Sequence, residues 1–123
     1  MYTVTVTDSF VAQHFLTVPN PPPGEGERHS HTFRTELTFR GPTLGEHGYL
    51  LDIDVARAEL DSVCDRYRDA TLNDHLDGNP SVERLAAAIF DALSGIDAPA
   101  VDELTVTVHE DDVAAVSYTA PIN

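Results

Sequence analysis

The chain reads as an α+β protein of order ββααββ, an antiparallel four-stranded sheet with two helices on one face. Three observations predict this. Two runs near the N-terminus alternate β-branched or aromatic residues with polar ones at period two. Two central segments carry apolar residues at helical spacing. Two further alternating runs follow, and two hairpins flanking two helices bury their apolar surfaces by stacking the helices on the sheet.

Tyr2 to Phe10 (Tyr-Thr-Val-Thr-Val-Thr-Asp-Ser-Phe) is the first predicted strand. Pro19-Asn20-Pro21-Pro22-Pro23-Gly24 cannot continue a regular element. His31 to Arg40 alternates again and pairs with the first strand as a long hairpin, which Gly41-Pro42 stops. Asp54 to Tyr67 spaces Val55, Leu60, Val63, Cys64 and Tyr67 near a helical period. In the second helix Asn79 is the predicted cap and Pro80 sits in the first turn, where its missing N–H costs nothing. Val82, Leu85, Ala86, Ile89, Phe90 and Leu93 form its apolar stripe, and Gly95 follows as a stop. Val101 to His109 and Val113 to Tyr118 are the last two strands, with a turn at Asp111-Asp112. Such a sheet has two open edges, so edge pairing between subunits is expected.

A length of 123 residues suits one domain, 1–123, with a real core. No apolar run approaches the ~20 residues that span a bilayer. Met1-Tyr2-Thr3-Val4 lacks the charged and apolar regions of a secretory signal, so a cytoplasmic protein is expected. Cys64 is the single cysteine, which excludes an intrachain disulfide and a cysteine-based zinc finger. Twenty-one acidic residues against seven basic ones give a net charge of −14, and every basic residue is arginine. That surface repels phosphates and anionic headgroups, so neither nucleic acid nor a membrane is an expected partner. Dense carboxylates without lysine suit a high-salt cytoplasm, as in halophilic archaea, where the Debye length falls to ~3 Å at 1 M.

Three histidines concentrate the chemistry. Residues two apart in a strand share a side, so His29 and His31 can present two imidazoles together. His14, in Phe10-Val11-Ala12-Gln13-His14, lies past the first run, and a hairpin returns it toward the pair. Three neutral imidazoles with a fourth position open make a catalytic zinc site. A His-x-His pair alone is also what an exposed strand carries, and spacing does not separate the two readings.

The motifs resemble the 6-pyruvoyl- and 6-carboxy-tetrahydropterin synthase family over essentially the whole chain. Phe10-x-Ala12-x-His14 is similar to its first zinc motif. His29-Ser30-His31-Thr32-Phe33 resembles its His-Gly-His-x-Tyr/Phe segment, with serine for glycine. Gly48-Tyr49-Leu50-Leu51-Asp52, Leu72-Asn73-Asp74 and Asn79-Pro80-Ser81-x-Glu83 follow its further segments, and Val108-His109-Glu110 sits where it carries a pterin-anchoring glutamate. The resemblance implies the tunnelling fold, a homo-oligomer (trimer or hexamer) with sites between subunits, and a Zn2+ cofactor on His14, His29 and His31. It also implies a small-molecule pterin substrate, its 2-amino group and ring N–H held by Glu110.

Two departures touch the catalytic group. The family's proton-shuttle cysteine falls on Glu25, and one branch of the family carries glutamate there and forms 6-hydroxymethyl-7,8-dihydropterin. A carboxylate of suitable pKa serves as a general base, although the Gly24-Glu25-Gly26-Glu27-Arg28 loop is flexible and charged. The family's Asp-His dyad falls on Arg68-Asp69. Arg68 stays protonated, leaving Asp69 as acceptor, with His75 of Asp74-His75 as a substitute or a plain surface residue. Cys64 reads as a packed helix residue, and His47 and His109 receive no role.

The function so implied is a zinc-dependent lyase or synthase acting on 7,8-dihydroneopterin triphosphate. Two competitors are a zinc- and pterin-binding homologue without catalysis and a metal-free assembly module with incidental histidines.

Overall fold

The computed structural model describes residues 1–123. Strands β1 (Tyr2–His14) and β2 (His29–Gly41) form the first hairpin, and β3 (Glu103–Glu110) and β4 (Ala114–Pro121) the second. Between them lie helices α1 (Ile53–Tyr67) and α2 (Val82–Leu93), separated by a 3-10 turn at Leu72–Asp74. The sheet order is β1-β2-β3-β4, every pair antiparallel. α1 packs on β1, and α2 on β3 and β4.

Alternation along each strand divides the sheet into an apolar and a polar face. Val6, Phe10 and Ala12 of β1, Phe33, Leu37 and Phe39 of β2, and Leu104, Val106 and Val108 of β3 are buried with the helix residues. Leu60 and Val63 of α1 and Leu85, Ile89 and Leu93 of α2 pack into the same core. Polar residues occupy the alternate positions, where hydroxyls pair across strands: Thr5 with Thr38, Thr105 with Thr119, and Thr107 with Ser117. Gly41 ends β2 against the Ala100 carbonyl, at a spot where a Cβ has no room.

Several boundaries differ from the periodicity. β1 runs on to His14 because the chain beyond Phe10 keeps its pairing with β2 and gains a second neighbour on its outer edge. There the Asp69 N–H donates to the Val11 carbonyl (2.7 Å) and the Gln13 N–H to that of Ala70 (2.9 Å). β3 starts at Glu103, since the Val101 N–H is taken by a turn to the Ala98 carbonyl. In α1, Asp52 is the cap, its Oδ1 accepting from the N–H groups of Asp54 and Val55. Val55 is exposed, and Ala56 takes the buried place on that helix.

The cap of α2 is Ser81 and not Asn79. Ser81 Oγ accepts the Arg84 N–H at 3.2 Å, and Pro80 precedes the cap. Asn79 Oδ1 instead accepts the Thr17 N–H at 2.9 Å, fixing the segment that leaves β1. Arg68, at the end of α1, ties that helix to β1. Its guanidinium donates to the Ser9 carbonyl (2.9 Å) and to Asp65 (3.1 Å), with Asp8 and Asp61 each at 3.7 Å. The Asp65 hydrogen bond raises its pKa still further, so it stays a cation.

Ser81→Ala is expected to lower stability by about 1 kcal/mol through loss of the cap, measured by denaturant unfolding. The outer surface of α1 exposes Asp54, Glu59, Asp61 and Asp65, part of a net charge of −14. Screening relieves that self-repulsion, so the thermal midpoint is expected to rise as KCl is raised toward ~1 M.

Candidate metal centre

The β1–β2 register builds the site. His14 lies directly across from His29, and His31 faces Ala12, whose small side chain leaves space between the strands. These positions continue the row that carries Phe10 and Phe33, so all three imidazoles stand on the helix side of the sheet, at its end. Their ring centroids lie 4.6, 4.8 and 5.1 Å apart.

Each ring is oriented from its Nδ1. His14 Nδ1 donates to the Pro80 carbonyl (3.0 Å), His29 Nδ1 to the Glu27 carbonyl (2.7 Å) and His31 Nδ1 to Asp111 Oδ2 (2.7 Å). Carbonyl and carboxylate oxygens only accept, so in the neutral form of each ring the proton sits on Nδ1 and Nε2 carries the lone pair. The three Nε2 atoms are buried and have no hydrogen-bond partner. One ligand nitrogen per ring lies within 4.8 Å of the others. Three convergent imidazole nitrogens oriented by outer hydrogen bonds fit a divalent transition metal such as zinc. Burial holds the His14 imidazole below the ordinary histidine value, against the opposing Pro80 hydrogen bond. Its neutral form, the one a metal needs, is thereby favoured at pH 7.

Two expected carboxylates adjoin this cluster. Glu25 Oε2 lies 3.9 Å from His29 Nε2. Its loop is held and not free: the Leu16 N–H donates to the Glu25 carbonyl (2.8 Å), and the Glu25 N–H to that of Pro22 (3.0 Å). Glu110 faces Phe33 across β2 and β3, in the same helix-side row, and its charge acts on His14.

The remaining expected residues lie elsewhere. Asp69 is exposed in a left-handed turn (φ 58), engaged by its backbone with Val11. His75 is exposed, its ring against Tyr67 at 5.8 Å. Cys64 is buried in α1, and burial pushes its thiol up to about 12, which leaves it protonated and inert. His109 is paired in register with Arg34, and its Nε2 lies 3.5 Å from Glu36.

Asp111, Pro80 and Glu27 have no place in the sequence-based site. Two of them act through main-chain oxygens, which no side-chain pattern reveals. Asp111 had one signal, its place directly after Glu110 in the turn. The structure uses it twice, for His31 Nδ1 and for the Thr32 N–H (2.9 Å). The His31 hydrogen bond, then that of Thr32, holds its carboxyl below the usual range.

The comparisons with known proteins agree with this architecture. The chain is similar to 6-pyruvoyl tetrahydropterin synthase from Plasmodium falciparum, with a TM-score of 0.83 at 15% identity over 98% of each chain. A Plasmodium vivax synthase carrying a substituted catalytic residue gives 0.81 at 16% identity over 98% of each chain. The Caenorhabditis elegans enzyme gives 0.77 at 18%, covering 97% of this chain and 95% of that one. At these identities the likeness shows the fold. No curated protein matches the sequence. The family model described as 6-pyruvoyl tetrahydropterin synthase matches residues 3–121. With that match spanning nearly every residue of a ββααββ chain, the protein belongs to the 6-pyruvoyl tetrahydropterin synthase family.

Proposed function

We propose that the chain is a zinc-dependent lyase or synthase that acts on the side chain of 7,8-dihydroneopterin triphosphate. The observation that carries this reading is the convergence of three unpartnered Nε2 atoms with a carboxylate 3.9 Å from one of them. His14, His29 and His31 would hold the metal. A bound zinc ion supplies Lewis acidity, which makes vicinal hydroxyls and the adjacent C–H more acidic.

The chain's own groups would do the rest. Glu25 is the candidate general base, held at the edge of the cluster by its backbone bonds to Leu16 and Pro22. A related Plasmodium vivax synthase has a glutamate as a catalytic residue, which accords with a carboxylate base. Glu110, an acceptor-only carboxylate, would take the pterin's 2-amino group and ring N–H and orient the ring. The product of this reading is the 6-pyruvoyl, 6-carboxy or 6-hydroxymethyl pterin. A homo-oligomer, trimer or hexamer, fits the outer edge of β4, which pairs with no strand of its own chain.

A second reading, a zinc- and pterin-binding homologue without catalysis, is favoured by one observation. At the dyad position, Arg68 is committed to Ser9 and three aspartates, and Asp69 turns outward. Incubation with 7,8-dihydroneopterin triphosphate in high salt, with products identified by mass, separates the two. A new pterin product supports the enzyme; tight pterin binding with unchanged substrate supports the homologue.

His29→Ala is expected to abolish zinc retention, read as metal per subunit after purification in molar KCl. Retention equal to the parent protein's would overturn the ligand assignment. Glu25→Gln is expected to keep its zinc while turnover falls by roughly 10²–10⁴-fold. An undiminished rate would remove Glu25 from the chemistry.

A further inference from the structure

Asp111 opens the turn between β3 and β4 with φ 50, the left-handed region. Three bonds clamp it to β2. Its N–H donates to the Thr32 carbonyl at 2.8 Å, Oδ1 accepts the Thr32 N–H at 2.9 Å, and Oδ2 accepts from His31 Nδ1 at 2.7 Å. Both carboxylate oxygens are thus committed to N–H donors, one of them a fixed backbone group.

We propose that Asp111 is a positioning residue of the metal centre, fixing the tautomer and orientation of His31 and strengthening its Nε2 as a donor. The inference rests on the reading that His14, His29 and His31 hold a metal. His14 and His29 lean on neutral carbonyls, whereas His31 alone leans on an anion, which makes an imidazole ligand more basic. The Asp111 side chain is 45% exposed, so pairing energy as such is small and the effect lies in the orientation and tautomer of His31. The same clamp seats the preceding residue, Glu110, beside the site, coupling the carboxylate proposed for the pterin to the metal-binding face.

Asp111→Asn tests this with little change of shape, since asparagine tolerates the left-handed region. An amide has one acceptor oxygen for two N–H donors. With that oxygen on the Thr32 N–H, the NH2 group faces His31 and favours the tautomer protonated at Nε2, which leaves no lone pair on the nitrogen turned to the cluster. The expected result is a 10–100-fold loss of zinc affinity in chelator competition, of the size known for outer-sphere partners. In the metal-free protein, well above the histidine range of about 6.5, long-range ¹H–¹⁵N spectra should move the His31 proton from Nδ1 to Nε2.

Asp112→Asn removes the same charge one residue away and should change neither readout. An unaltered His31 tautomer in Asp111→Asn overturns the proposal, and so does an equal affinity loss in Asp112→Asn. The tautomer is read without metal, so it judges Asp111 on its own. Failure of the parent protein to bind zinc overturns the metal reading instead.

Discussion

The register of β1 against β2 is the constraint on which the rest depends. It runs from Tyr2 opposite Gly41 to His14 opposite His29 without a bulge. Side chains alternate strictly, so a slip of one residue would turn one strand's whole row to the other face. Phe10 and Ala12 would leave the core, and His14 would leave His29 and His31. Core burial therefore specifies the face that carries the histidines: the tilted pair Phe10–Phe33, at 5.6 Å, and the His14–His29 pair belong to one ladder. Stability of the apolar face and geometry of the polar end cannot be separated.

The hairpin alone gathers the imidazoles but does not aim them. Aim comes from segments far along the chain. Pro80 reaches His14 from beyond α1, and Asp111 reaches His31 from the second hairpin. The chain just after His14 is held in the same way. Asn73 accepts the Phe15 N–H (3.1 Å) and donates to the Phe15 carbonyl (2.9 Å), while Asn79 holds Thr17. The Leu72-Asn73 and Asn79-Pro80 segments thus serve the site by fixing backbone around it. Their side chains replace water on main-chain groups that would otherwise be stranded as β1 ends.

The two departures from the family pattern have different physical characters. At Glu25 a carboxylate stands where the shuttle is expected, and the loop that carries it is pinned by backbone bonds despite its glycines. At Arg68 the replacement is a cation that neutralises a local excess of aspartates and fastens α1 to β1. In a chain of net charge −14, an arginine there has a structural role that a histidine could fill only when protonated. The first change preserves a titratable group beside the histidines. The second places a structural cation where the dyad is expected.

The sequence by itself determined the fold class, the order of elements and the face that His29 and His31 share, because periodicity and strand geometry are local properties. It also placed Glu110 at the end of a strand and Cys64 in a packed helix. Tertiary structure alone decided the length of β1, since strand character past Phe10 depends on Ala70 and Asp69 arriving from the far end of α1. It decided that Ser81 caps α2, because Asn79 has a stronger claim from Thr17 across the chain. It decided which histidine nitrogens are bare, because Pro80, Glu27 and Asp111 take the opposite ones. Imidazole tautomers follow from acceptors that are distant in sequence or belong to the main chain, and no pattern of residue types encodes them.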